Sequence, residues 1–128
     1  MTEGLRVLLI DDSQTFLRHT ARFLERQAGI IVAGMTTSPR NSLSLAGELR
    51  PDVVVTDLSM PEMSGIELIP RLRVVLPLAR LVVLTWNDLP YYREAAINAG
   101  ADEFVRKESV VQALVAAIKG DAVLGNAV

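Results

Sequence analysis

Residues 5–13, "LRVLLIDDS", carry five apolar side chains almost without a break and then two adjacent carboxylates, Asp11 and Asp12. A strand with one wet face alternates polar and apolar residues. This one does not, as expected of a parallel strand covered on both faces. Its end is the costly part. Two carboxylates at roughly 5 Å in an effective dielectric of about 20 repel by about 3 kcal/mol, so a compensating cation is expected where the strand stops.

Four more short apolar runs follow: "IIVAG" at 30–34, "DVVVT" at 52–56, "RLVVLT" at 80–85 and "EFVRK" at 103–107. The runs at 52–56 and 80–85 are as continuous as the first and predict interior strands; those at 30–34 and 103–107 are weaker and predict edges. Helical patterns fill the gaps. Phe16, Leu17, Thr20, Phe23 and Leu24 share one helical face, and Gly29 stands where that helix is expected to stop. Ser38 before Pro39 predicts an N-cap with proline at the first helical position. Ser64 to Glu67 and Ser109 to Gln112 have capping-box spacing, and Gly100 and Gly120 are expected C-terminal stops. Strand then helix, five times over, requires an α/β fold with right-handed crossovers and helices on both faces of a parallel sheet.

The 128 residues suit one domain with a real core, since half of them are hydrophobic. Thirteen basic against fifteen acidic residues give a net charge of −2 and no basic field to hold a nucleic acid. Without cysteine there are no disulfides, thiolate metal sites or cysteine nucleophiles. The apolar run at the N-terminus is too short for a secretory signal or a membrane span. A soluble cytoplasmic protein, bound neither to membrane nor to nucleic acid, is the expectation.

Ligands of an open parallel sheet bind beyond the carboxyl ends of its strands. The first strand ends in Asp11 and Asp12, the third in Asp57, the fourth in Thr85 and the fifth in Lys107. Three carboxylates, a hydroxyl and an ammonium on one rim are the chemistry of a hard cation and a phosphoryl group. Mg²⁺ takes oxygen ligands and commonly binds through one or two carboxylates plus phosphate oxygens. Asp12 and Asp57 are the expected direct ligands, with Asp11 acting through a water and the backbone carbonyl of Ser59 completing the set.

In order and spacing, "LLIDDS", "DVVVTDLSMPEMSGIEL", "LVVLT" and "AGADEFVRKES" resemble the receiver domain of two-component response regulators over residues 5–119. The resemblance implies a flavodoxin-like sheet of order 2-1-3-4-5 with five helices. It also implies that Asp57 accepts a phosphoryl group from a sensor histidine kinase or a small phosphodonor. Asp11 and Asp12 match the family's acidic pair, Thr85 its switch hydroxyl and Lys107 its lysine. Phe104 stands where the family has an aromatic that turns between exposed and buried positions. A carboxylate nucleophile giving an acyl phosphate, with metal and lysine charge on the phosphoryl oxygens, suits these residues independently.

Pro61 and Gly65 in "DLSMPEMSG" are expected to shape the acceptor loop. Of Tyr91 and Tyr92, one should pack and one should be exposed, and His19 should lie on the surface. Two residues depart from the family pattern. Trp86 replaces a small residue after the switch threonine and is expected to crowd the site, as a modulator of its rates. Glu108 replaces a proline after the lysine, so a cis peptide bond is not expected there. The acidic variant resembles receivers that precede a helix-turn-helix output domain, so residues 1–119 are assigned to the receiver and 120–128 to a tail or linker. Expected partners are the kinase and, on activation, a second copy of the chain. Three alternatives stay open: a stand-alone receiver; an aspartate-nucleophile phosphatase, although Ser59 stands where such enzymes carry a second acid; and an interaction domain whose acidic pocket is idle.

Overall fold

The unbroken apolar runs become the middle of a sheet. The computed structural model describes residues 4–87 and 89–121. Its strands are β1 (Leu5–Ile10), β2 (Ile30–Thr36), β3 (Val53–Thr56), β4 (Arg80–Thr85) and β5 (Glu103–Arg106), all parallel and in the order β2-β1-β3-β4-β5. The interleaved helices are α1 (Gln14–Glu25), α2 (Pro39–Leu49), α3 (Gly65–Val75), α4 (Pro90–Ala99) and α5 (Val115–Lys119). The flavodoxin-like architecture expected of the sequence is therefore present, with the two weaker runs at the edges.

Alternation along each strand divides the core in two. Leu8, Ile10, Val54, Leu81, Val83 and Phe104 face Leu68, Ile69 and Leu72 of α3, with Ala46 of α2 and Ala96 of α4. Val7, Leu9, Val55, Leu84 and Val105 face Leu17 and Leu24 of α1, with Ala117 and Ile118 of α5. Each large aliphatic side chain buried this way contributes about 1.5–3 kcal/mol. Both layers anchor the same strand ends, which is why residues just past those ends are held in place.

Local signals explain most helix boundaries. Ser38 and Ser64 accept hydrogen bonds from the backbone N–H groups of Asn41 and Glu67, as their N-cap positions predict, and Gly100 and Gly120 end α4 and α5. Two expectations require correction. Helix α1 ends at Glu25 with Arg26 as its cap, so Gly29, at φ +81°, turns the chain into β2 rather than stopping the helix. Ser109 makes no cap hydrogen bond, because the chain after β5 winds as a 3₁₀ turn (Lys107–Ser109) and a π-helical turn (Val110–Leu114) before α5 begins. Of the tail read at 120–128, residues 122–128 lie outside the described residues.

Candidate functional site

Strand β1 delivers Asp11 to the rim, where its N–H donates to the Thr36 carbonyl at 3.2 Å. A tight turn then aims its side chain: Asp11 Oδ1 accepts from the Ser13 N–H at 2.9 Å. Ser13 in turn caps α1, its Oγ accepting from the Phe16 N–H at 3.1 Å. The cap is Ser13 rather than Asp12, whose carboxylate stays exposed.

Next to it, the Asp57 N–H donates to the Ile10 carbonyl at 3.1 Å and continues the sheet by one residue. Asp57 Oδ1 accepts from the backbone N–H groups of Leu58 at 2.7 Å and Ser59 at 3.3 Å. The loop that follows is held closely. The Gly65 N–H donates to the Leu58 carbonyl at 2.8 Å, and a Cβ on Gly65 would lie 2.5 Å from the Asp57 carbonyl oxygen. Met60 and Met63 are buried and pin the loop from below, while Glu62 accepts from Ser38 Oγ at 3.1 Å and ties it to the start of α2.

Lys107, the first residue after β5, is inserted between the two aspartates. Its Nζ lies 2.6 Å from Asp11 Oδ2 and 3.0 Å from Asp57 Oδ2. Burial pushes the Asp11 carboxyl above the ordinary carboxylate range, against the lowering pull of Lys107 and of the Ser13 N–H. Carboxylate oxygens of Asp11, Asp12 and Asp57 all lie within 4.8 Å of one another. Three carboxylates against one ammonium leave an excess of negative charge, and the donors are oxygens only, one of them from an exposed residue. That donor set fits a hard divalent cation keeping several of its waters.

Thr85 ends β4 fully buried, with Oγ1 accepting from the Asn87 N–H at 3.2 Å. Phe104 does not join the cluster: it occupies the buried position, in the layer under α3 and α4, with the Arg93 guanidinium 5.4 Å from its ring centroid. Trp86 stands at the rim, 62% exposed, its ring 6.3 Å from that of Phe16 in an edge-on arrangement. The Lys107 ammonium is 4.2 Å from the Phe16 centroid and 5.7 Å from that of Trp86. Phe16, whose helical spacing places it on the core face of α1, thus also lies against the site. Tyr91 is exposed and Tyr92 packs against the core, and His19 is on the surface. No cis peptide bond occurs among the described residues, the Lys107–Glu108 bond included.

The sequence profile of the response regulator receiver domain matches residues 7–119. Chemotaxis protein CheY of Thermotoga maritima is 36% identical over 87% of this chain and 95% of its own length. The transcriptional regulatory protein MctR of Rhizobium johnstonii is 35% identical over 93% of this chain, which spans only 56% of that protein. Among solved structures, a response regulator protein from Burkholderia pseudomallei superposes with a TM-score of 0.83 at 30% identity, over 97% of this chain and 72% of that one; it holds a phosphorylated aspartic acid, a calcium ion and citrate.

Proposed function

This chain belongs to the response regulator receiver domain family of two-component signalling, and on that premise we propose that it is a switch set by phosphorylation of Asp57. The observation that carries the reading is the Lys107 ammonium seated on Asp57 Oδ2, inside a cluster of three carboxylates. An Asp57 oxygen attacks the phosphorus of a kinase phosphohistidine; the O–P bond forms as the P–N bond breaks, and the imidazole leaves with the electron pair and takes up a proton. Lys107 then moves its hydrogen bond from the carboxylate to a phosphoryl oxygen. Asp11, Asp12, Asp57 and the Ser59 carbonyl would hold Mg²⁺, which would supply positive charge to the transferring group. The phosphorylated aspartic acid and calcium ion of the Burkholderia pseudomallei relative support this assignment.

Thr85 carries the signal away from the site. Its Oγ1 accepts from Asn87, so its own hydroxyl proton is available to a phosphoryl oxygen, and that bond draws the loop after β4 inward. The face of Thr85 and Phe104 shifts with it and alters what the domain binds, including a second copy of the chain.

Residues 1–119 form the receiver in this reading and 120–128 lead toward an output domain that binds DNA. MctR, a transcriptional regulator of which this chain spans about half, supports that output. A second reading, a stand-alone receiver acting through protein contacts, has its parallel in the chemotaxis relative. Either way the chain is a phosphoacceptor, capable of self-phosphorylation from small donors and of autodephosphorylation, rather than an enzyme acting on other substrates. Among the described residues no helix is long and apolar enough to cross a membrane, in keeping with a cytoplasmic site of action. Incubation with a small phosphodonor and Mg²⁺ tests the proposal: intact mass should rise by one phosphoryl group in the wild type and not in Asp57→Asn, and equal labelling of both would overturn it.

A further inference from the structure

An ammonium has three N–H donors and no acceptor. Lys107 is almost fully buried, and two of its donors are taken by Asp11 Oδ2 and Asp57 Oδ2. Among the described residues, its next contacts are rings. The face of Phe16 lies 4.2 Å from Nζ, with the Trp86 ring centroid 5.7 Å from the same atom and edge-on to Phe16 at an interplanar angle of 63°. The geometry points to Phe16 as a positioning residue for phosphoryl transfer: its ring face, braced by Trp86, takes the third donor of Lys107 and holds the ammonium on Asp57.

The placement follows from the fold. Leu84 and Val105 face the α1 side of the sheet, and Trp86 and Lys107, two residues further along, fall on that same side. Phe16 arrives there in the first turn of α1, and the Ser13 cap that aims Asp11 also receives the Phe16 N–H. Among the described residues, the side chains that the ammonium meets are thus two carboxylates and two rings. The rings matter because an ammonium is otherwise free to rotate toward Asp11, which is the nearer carboxylate, or toward water. A face-on ring attracts the cation through its quadrupole, most strongly where water is excluded. It also leaves the ammonium free to trade a carboxylate oxygen for a phosphoryl oxygen, since it offers no competing lone pair.

The inference rests on Asp57 being the acceptor, and its test separates the two. Labelling of Asp57 by a small acyl phosphate with Mg²⁺ is timed in the wild type, Phe16→Leu, Phe16→Tyr and Lys107→Met, and in the last with Phe16→Leu added. Leucine keeps an apolar side chain of similar bulk and removes the ring. It should slow labelling about tenfold, tyrosine should restore the rate to within about twofold of wild type, and Phe16→Leu should make no further difference once Lys107 is gone. A Phe16→Leu rate equal to wild type overturns the inference, and so does a loss that persists in the Lys107→Met background, because Phe16 would then act by packing alone. Proton NMR provides a readout that needs no phosphodonor: the Lys107 Hε resonances should lie upfield through the ring current, move to ordinary shifts in Phe16→Leu and stay upfield in Phe16→Tyr. Ordinary shifts in the wild type overturn the inference. A wild type that takes no label but keeps the upfield signature sinks the phosphoacceptor reading, and the transfer role of Phe16 with it, leaving only the contact.

Discussion

The Lys107 ammonium sits 3.0 Å from Asp57 Oδ2 with both side chains almost wholly buried, 3% and 6% exposed. Nothing apolar could stand in for it, since Asp11, Asp12 and Asp57 would then repel one another without a counter-charge. Removing one partner of a buried ion pair typically costs about 3–5 kcal/mol. Lys107→Met should therefore destabilise the metal-free protein by roughly 3 kcal/mol at neutral pH, and Mg²⁺ should restore part of the loss. Thermal melts with and without Mg²⁺ check this; an unchanged melting temperature in chelator would mean that the three acids are not held together by Lys107.

Mg²⁺ should stabilise the wild type by mass action, reaching about 2.7 kcal/mol at about 100 times its dissociation constant. Asp12 is exposed, unlike Asp11 and Asp57, so Asp12→Ala relieves repulsion without opening the core. The variant should be as stable as wild type or more so in chelator, and should lose most of the Mg²⁺ gain. Equal gains in the two proteins would remove Asp12 from the ligand set.

Gly65 tests the loop that carries the acceptor. A Cβ there would stand 2.5 Å from the Asp57 carbonyl oxygen and 2.8 Å from Leu58 Cα, both backbone atoms that cannot swing aside. Gly65→Ala should cost about 1–3 kcal/mol in chemical denaturation and slow the labelling of Asp57, because the displaced backbone is that of Asp57 itself. Wild-type stability and wild-type labelling together would show that the loop has slack.

How much of this was legible beforehand depended on whether a feature is local. The continuous runs at 5–10, 52–56 and 80–85 were readable because burial on both faces leaves no room for polar alternation. Strand β2 runs two residues past the expected 30–34, since Met35 and Thr36 pair with Leu9 and Ile10, a register that the edge strand's own residues do not encode. Ser109 carried the right spacing for a cap in the wrong backbone, a 3₁₀ turn leading into a π-helical one. At the site, every strand-end residue singled out by position reached the rim, but Phe16 was hidden. Its 3.6-residue periodicity describes a core face, and only the assembled sheet, whose rim brings the first turn of α1 and the end of β5 together, turns its ring onto Lys107. The sequence did hold one clue, the shared two-residue offset that sends Trp86 and Lys107 to the side of the sheet where α1 packs.

Trp86, the one tryptophan of the chain, follows the buried Thr85 and stands 62% exposed at the rim. If Thr85 draws its loop toward a phosphoryl group, the indole changes surroundings. Its fluorescence should change on adding beryllofluoride and Mg²⁺, vanish as a response in Asp57→Asn and shrink in Thr85→Ala. A spectrum that stays constant while mass spectrometry proves phosphorylation would place the Trp86 ring outside the moving segment.

Asp57, and no other carboxylate of the cluster, is expected to form the acyl phosphate. Borohydride cleaves an acyl phosphate reductively and leaves homoserine where the phosphorylated aspartate stood. Protein treated with a small phosphodonor and Mg²⁺, reduced, digested and sequenced by mass spectrometry should carry homoserine at position 57 alone, with Asp11 and Asp12 intact. Homoserine at position 11 or 12, or none at position 57 in protein that has gained a phosphoryl group, would put the acceptor at a residue other than Asp57.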